Sequence, residues 1–342
     1  MSARDRVLIA GIGGASLGSE LAKCLLQADR YTVFGCDISP LATGLYTGRF
    51  EATFLVDAEH YVESVLALSR RLAVASVVPG AEEPARLLGQ AAAEFEQAGV
   101  HVAANAPPVV ATCADKGALV ARLSSLGLPV PTSVVADSPE RLRGMVYPCI
   151  VKPATGSGGS VSVFLAADAA QAQVYVTYLL ANGQTPIAQE YLPLEGGEFT
   201  VGVLSLPGAR LVGSLALRRL FHAKLSVAAR TRTGLVSSGY SQGRIEDFAD
   251  VRAQAERIAV ALNSTGPMNV QGRLRDGVLV PFEINARFSA SAYLRALAGF
   301  NEVDLYLQAV LHGTHPTPEP VRAGYYLRDL SEVYVDDAMV KR

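Results

Sequence analysis

Lysine is the residue this 342-residue chain has least use for: only five of its 30 Lys and Arg residues are lysine. A lysine inside a motif therefore carries more weight than usual. The net charge is −2 and the basic residues are dispersed. That excludes the electrostatic footprint of a nucleic-acid binder. Four cysteines, at 24, 36, 113 and 149, have no metal-ligand spacing. They read as reduced, mostly buried thiols. No uncharged apolar run is long enough to span a bilayer. The first residues lead straight into a strand and a glycine turn, so no secretory leader is expected and the location expected is cytoplasmic. His312 and His315 fall in a Pro-rich segment and read as loop residues. With 50% hydrophobic content at this length, two or three domains are expected.

What is present is concentrated near the end, in Val280-Pro-Phe-Glu-Ile-Asn-Ala-Arg-Phe-Ser. Side chains alternate along a strand, so Glu283, Asn285 and Arg287 share one face. Ile284 and Ala286 point the other way, into a core. A carboxylate and an amide oxygen suit a hard cation such as Mg2+. A guanidinium fork suits phosphate or carboxylate. Met268-Asn-Val-Gln-Gly-Arg-Leu, then Arg275-Asp-Gly, then Val278-Leu-Val reads as a hairpin with Asp-Gly as the turn signal. A two-residue loop places Gln271 and Glu283 on opposite faces. A three-residue loop, Arg275 to Gly277 with a bulge at Gly277, places them on the same face. The three-residue loop is expected, giving Gln271, Glu283 and Asn285 as one metal-facing cluster.

Mid-chain, Cys149-Ile-Val-Lys152-Pro is an apolar run ending in lysine. Thr155-Gly156-Ser157-Gly158-Gly159-Ser160 and the strand Val161-Ser-Val-Phe follow. Glycines let backbone N–H groups approach phosphate oxygens, and hydroxyls add donors. No Gly-Lys-Ser/Thr follows the glycines, so this is not a P-loop. Lys116 opens a helix in Thr112-Cys-Ala-Asp-Lys-Gly-Ala-Leu. Pro186-Ile-Ala-Gln189-Glu190-Tyr191-Leu192 is a further strand, followed by Gly196-Gly-Glu198-Phe-Thr-Val.

Together these segments resemble the ATP-grasp ligases, in particular their carbamoyl-phosphate-synthase-like, carboxylate–amine ligase branch. The resemblance runs over most of the chain. It implies that Gln271, Glu283 and Asn285 hold Mg2+, with Mn2+ as an alternative. It implies that Lys116, Lys152 and the loop Gly156, Ser157, Gly158, Gly159 and Ser160 hold the ATP triphosphate. Gln189, Glu190, Tyr191 and Leu192 then take the adenine side, and Glu198 the ribose hydroxyls. Arg287 serves the transferring phosphoryl group. The densest basic stretch, around Arg218, Arg219, Lys224, Arg230 and Arg232, is either a solvated face or a further source of phosphate and substrate contacts. On the second reading Arg218 and Arg230 join Arg287 as catalytic candidates. Many relatives carry lysine where Ser238 stands here, which is a departure from the family pattern.

The N-terminus carries a weaker signal. Arg6 to Ala10 is a buried strand, Gly11 to Gly18 a tight turn, Ser19 to Gln27 a helix, and Thr32 to Asp37 a second strand ending in an acid. This approaches a dinucleotide fingerprint, with Asp37 at the ribose distance, but Ser16 stands at the third glycine position. The resemblance implies a Rossmann-like domain that frames the substrate cleft instead. Val74 to Pro79 is another strand, with Glu82 and Glu83 beyond its end. These acids either open a helix with Pro84 or receive a substrate amine.

The fold expected is α/β and α+β: a Rossmann-like domain over 1–106, a small lid subdomain over 107–187 and a larger metal-bearing subdomain over 188–342. The activity expected is ATP-dependent amide or peptide bond formation through an acyl phosphate, releasing ADP. The partners expected are a small carboxylate and an amine, with no nucleic acid and no membrane; homodimerisation stays open. A regulatory protein with a degenerate ATP-grasp fold and an NAD(P)-dependent oxidoreductase are the competing classes.

Overall fold

The computed structural model describes residues 4–14, 17–156 and 161–341. Ser16 and the loop residues Ser157, Gly158, Gly159 and Ser160 lie outside these.

The chain opens with β1 (Asp5–Ala10), α1 (Leu17–Ala28), β2 (Tyr31–Asp37), β3 (Ala52–Leu55), α2 (Tyr61–Arg71), β4 (Ser76–Pro79), α3 (Glu82–Gln90), α4 (Ala92–Gln97) and β5 (His101–Val102). The five strands form one parallel sheet in the order β3-β2-β1-β4-β5. That is the order of a doubly wound sheet, with helices on both faces. Alternation along β1 supplies both cores. Val7 and Ile9 pack with α1, while Leu8 and Ala10 pack with Val65, Leu68 and Leu88 from α2 and α3.

Next come α5 (Pro107–Ala114) and α6 (Lys116–Ser125). Asp115 breaks the two helices and caps the second, accepting from the Ala118 N–H at 3.0 Å. Then β6 (Ser133–Val135), β7 (Cys149–Pro153), β8 (Phe164–Ala166), α7 (Ala169–Ala181) and β9 (Pro186–Glu190) form a four-stranded antiparallel sheet, ordered β6-β9-β7-β8, under α7. The expected boundary at 187 falls inside β9, which stays paired in this sheet through Glu190.

The remainder comprises β10 (Glu198–Leu206), β11 (Arg210–Arg219), the hairpin β12 (Val227–Arg230) and β13 (Leu235–Ser237), β14 (Gly243–Ile245), α8 (Ala249–Ala261), β15 (Pro267–Arg275), β16 (Val278–Asn285), α9 (Ala292–Leu297), α10 (Glu302–His312) and β17 (Gly324–Tyr326). A six-stranded antiparallel sheet runs β16-β15-β10-β11-β14-β17. Its Val201 and Val203 face α8, while Leu204, Leu215 and Leu217 share a core with α9, α10, α1 and β1. The first and last sheets therefore sandwich a common layer of helices. After β17 the chain returns to the N-terminal unit: Arg328 pairs with buried Glu20 of α1 at 3.3 Å, and Lys341 Nζ donates to the Thr53 carbonyl of β3 at 2.7 Å. Among the described residues, no helix is long and apolar enough to cross a membrane. All four cysteines are free and buried.

Candidate active site

The hairpin β15–β16 reaches the expected side-chain arrangement by a different route. Arg275 pairs with Val278, so the loop is the two residues Asp276 and Gly277, not the three expected. Their φ angles of +52° and +78° make a type I′ turn, whose twist matches a hairpin. On a regular ladder this turn would put Gln271 and Glu283 on opposite faces. A bulge corrects the phase. Gln271 pairs with Glu283 but Gly272 pairs with Pro281, leaving Phe282 as an extra residue in β16. Pro281 has no N–H to give to the ladder, so little is lost where the ladder breaks. Gln271 thus stands directly opposite Glu283, and Asn285 opposite Asn269. Asn285 Nδ2 donates to Glu283 Oε1 at 3.1 Å, and Thr200 Oγ1 donates to Asn269 Oδ1 at 2.8 Å. These oxygen donors on one face have the chemistry of a hard-cation site. Asn269 was missed in the sequence, although it lies two residues before Gln271 on the same strand.

A cleft of ≈ 680 Å³ opens between this hairpin and the four-stranded sheet. Lys116 and Lys152 line it, opposite Gln271 and Glu283. The strand-end residues Gln189, Glu190, Tyr191 and Leu192 form another wall. Lys152 is only 5% exposed. Its Nζ donates to Gln189 Oε1 and to the Phe282 carbonyl, both at 3.0 Å. The carbonyl that the bulge frees is therefore the one that takes the lysine. Burial pushes the Lys152 ammonium down to about 8; Glu283 opposes that shift and Lys116 adds to it. At the rim, Glu190 pairs with Arg275 at 2.8 Å.

Three expected residues are placed elsewhere. Glu198 does not line the cleft. Its side chain is fully buried between Arg273 Nε at 2.9 Å and Arg219 Nη1 at 3.2 Å. Arg218 is exposed on the outer face of β11 and pairs across from Arg244. Arg230 is exposed and donates to the Phe221 carbonyl at 3.1 Å. Neither lines the cleft. The inward arginine is Arg219, 4% exposed. Ser238, at the family's lysine position, holds its own loop by accepting from the Tyr240 N–H at 3.1 Å.

A second cleft, of ≈ 1380 Å³, lies beside the first. Arg287 lines it, but not as a continuation of the strand. β16 ends at Asn285, and the Arg287 N–H turns back to the Asn285 carbonyl at 2.9 Å. Burial lowers the Arg287 basicity, and Glu82 and Glu283 offset it. Glu82 and Glu83 open α3 as helix-starting acids. Glu82, Glu83 and Arg86 all line the cleft; Glu83 is held by Arg86 at 2.9 Å, which leaves Glu82 as the acid facing Arg287. Ala81, Ala85, Val110, Ala111, Ala114 and Ala286 give the cleft small apolar stretches of wall, between the polar groups of Asp115, Thr155 and Asn285.

The two clefts share their framework. Asp115 and Lys116, Thr155 and Lys152, and Asn285 and Glu283 are three segments, each lending residues to both. A parallel sheet, a small antiparallel sheet and a larger one, meeting around a lysine- and carboxylate-lined cleft, make up an ATP-grasp fold. Solved structures bear this out. An L-amino acid ligase from Bacillus licheniformis superposes with a TM-score of 0.65 at 17% identity, covering 94% of this chain and 76% of that one. N5-carboxyaminoimidazole synthetase from Staphylococcus aureus, complexed with ADP, gives 0.66 at 16%, covering 93% and 80%. The family model "ATP-grasp in the biosynthetic pathway with Ter operon" matches residues 184–333. The carbamoyl phosphate synthase large chain of Mycobacterium tuberculosis is 26% identical over 307 residues, 84% of this chain and 27% of that protein. That of Halomonas eurihalina is 25% identical over 236 residues, 67% and 21%. Family model, curated relatives and solved structures all support the ATP-grasp superfamily. The chain spans about a quarter of the length of these curated relatives.

Proposed function

We propose that the protein is an ATP-dependent carboxylate–amine ligase that forms an amide bond between small, amino-acid-like substrates and releases ADP and phosphate. The observation that carries this reading is the shared framework: one cleft holds the cationic and oxygen-donor groups, and the same three segments lead into a second cleft with an arginine and an acid across from each other. In this reading the first cleft takes ATP. Leu192 and its neighbours take the adenine, and Lys116 and Lys152 offset phosphate charge. Glu283, Asn285 and Gln271 would hold Mg2+, which supplies charge neutralisation at the phosphates. The described residues that lead into the glycine loop, Thr155 and Gly156, border the second cleft.

The acceptor carboxylate lies in the second cleft, within reach of Arg287, and attacks the γ-phosphorus. Arg287 stabilises the negative charge that develops there. An amine then attacks the acyl carbon, phosphate leaves with the C–O bond electrons, and an amide remains. Glu82 is suited to orient an ammonium group, and the small apolar walls leave room for an aliphatic side chain. Residues 4–106 frame this cleft as a Rossmann-like unit, residues 107–190 act as the lid, and the six-stranded sheet carries the metal-facing residues. The relatives' names support the reading, since an L-amino acid ligase and N5-carboxyaminoimidazole synthetases share this fold.

The test is an ADP-release screen with amino acids in pairs. A pair-dependent signal identifies both halves. An 18O-labelled carboxylate should then deliver one labelled oxygen to inorganic phosphate. Unlabelled phosphate, or AMP and pyrophosphate in place of ADP, overturns the acyl-phosphate route.

A further inference from the structure

We propose that Arg273 is a positioning residue of the nucleotide cleft, which together with Arg219 uses buried Glu198 as an anchor to hold the adenine wall and the β12–β13 hairpin in place. The inference rests on the reading of that cleft as the nucleotide site.

Three neighbouring strands carry the assembly. Arg273 of β15 pairs directly across from Glu198 of β10. Arg219 ends β11, one residue beyond Arg218, which pairs with Phe199. The row runs cation, anion, cation across adjacent strands. All three side chains are nearly withdrawn from solvent, at 6%, 0% and 1% exposure for Arg273, Glu198 and Arg219. From this anchor the guanidinium groups reach outward to backbone. Arg273 Nη1 donates to the Leu192 carbonyl on the adenine wall, and Nη2 to the Leu235 carbonyl of β13 at 2.9 Å. Arg219 Nη2 donates to the carbonyls of Ser238 at 2.8 Å and Tyr240 at 3.3 Å, just past β13. The Arg273 guanidinium also lies over the Tyr191 ring, 4.7 Å from its centroid, while the Tyr191 hydroxyl accepts from the Leu235 N–H at 2.9 Å.

Leu192, Tyr191 and Leu235 all line the cleft, and so does Arg273; Glu198 does not. The carboxylate thus acts on the nucleotide through the arginines. A planar fork with five N–H donors can serve three acceptors in fixed directions, which a lysine cannot. Two cations to one anion also leave a net positive charge behind the wall of a cleft that receives a polyanion.

The experiment compares wild type, R273M, R273K and E198Q. Binding of ATP, 2′-deoxy-ATP and 3′-deoxy-ATP is measured by calorimetry, and amide hydrogen exchange at 235–240 is measured without nucleotide. R273M is expected to weaken ATP about tenfold, the size of one lost charge-assisted hydrogen bond, and to speed exchange at 235–240. E198Q is expected to weaken ATP and both deoxy analogues by one common factor. R273K keeps the charge and guards against a variant that fails to fold; it is expected to lose affinity while melting as wild type does. Wild-type affinity and wild-type exchange in R273K and R273M overturn the proposal. So does an E198Q protein that has lost discrimination between ATP and its deoxy analogues, since Glu198 would then touch the sugar itself. Failure of the wild-type protein to bind any of the three nucleotides overturns the reading of the cleft, and this inference with it.

Discussion

Two regions of this chain are written in sequence as nucleotide cradles, the turn after β1 and the cleft beside β7, and they are built in opposite ways. In the first, the polar groups face one another. Asp37 Oδ2 accepts from the Ile12 N–H at 2.8 Å and Oδ1 from the Ser39 N–H at 3.0 Å. A Cβ on Gly18 would lie 2.0 Å from the Gly11 carbonyl oxygen. Glycine is required there so that helix α1 can pack onto strand β1, and the acid is occupied in holding the turn. In the second region, lysines and carboxylates converge on open space. A glycine motif marks close backbone approach. Only the direction of the surrounding donors and acceptors tells whether the approaching partner is a ligand or the protein itself.

Four expected outcomes test that contrast, and the largest concerns the open cleft. Glu283→Gln keeps shape and removes the metal-facing charge, so turnover should fall about 10³-fold, the upper end of what loss of one transition-state donor costs. ADP release at saturating Mg2+ measures it, and near wild-type kcat would remove Glu283 from the metal-facing set. Arg287→Lys keeps the charge but loses the fork. Here kcat should fall about 10²-fold while ATP affinity holds; equal losses in both would move Arg287 out of the acceptor cleft.

The third outcome is a pH dependence. Lys152 titrates in the folded protein near 8, lower than in the unfolded chain, because burial disfavours its charge. Triphosphate favours the protonated form, so ATP affinity should be flat below that pH and decline as pH rises through it, with proton uptake on binding. The same lysine should make the ligand-free protein gain stability over the rise from its folded to its unfolded pKa, since the unfolded state holds more protons there. Lys152→Met should abolish both trends, and a pH-independent ATP affinity in wild type would refute the assignment. The smallest effect belongs to the closed turn. Asp37→Asn should lower unfolding free energy by about 1–2 kcal/mol, measured by urea titration, and leave ATP affinity unchanged. An affinity loss matching that of Lys152→Met would instead make the first turn part of the nucleotide site.

Much of the cleft was legible because strand alternation and a rare residue type point to it directly. Glu283, Gln271, Lys152 and Lys116 line one cleft, Asn285 bonds to Glu283 from the neighbouring one, and Asp115–Lys116 does open a helix. Alternation fails where both faces of a strand are covered. In β11, Ala216 and Leu217 are both fully buried, so the pattern gives no phase with which to choose between Arg218 and Arg219. The expectation fell on the exposed one. Pro281 marks an edge strand or a bulge but does not choose between them, and the same-face arrangement follows from the bulge and not from the longer turn expected. The arginines that bury Glu198 lie 75 and 21 positions along the chain, and only strand register brings them together. The loop residues Ser157, Gly158, Gly159 and Ser160 lie outside the described residues.

The bulge has a consequence for how the molecule comes to exist during synthesis. The Phe282 carbonyl finds its donor in Lys152, 130 residues earlier. Contacts that close so large a loop form late, after local strands and helices are in place. On the ribosome the four-stranded sheet emerges well before this hairpin, so its lysine lacks the Phe282 carbonyl until β15 and β16 dock. Lys152 thus has its Gln189 partner within the four-stranded sheet from the start, and gains the Phe282 carbonyl only in the last stage of assembly.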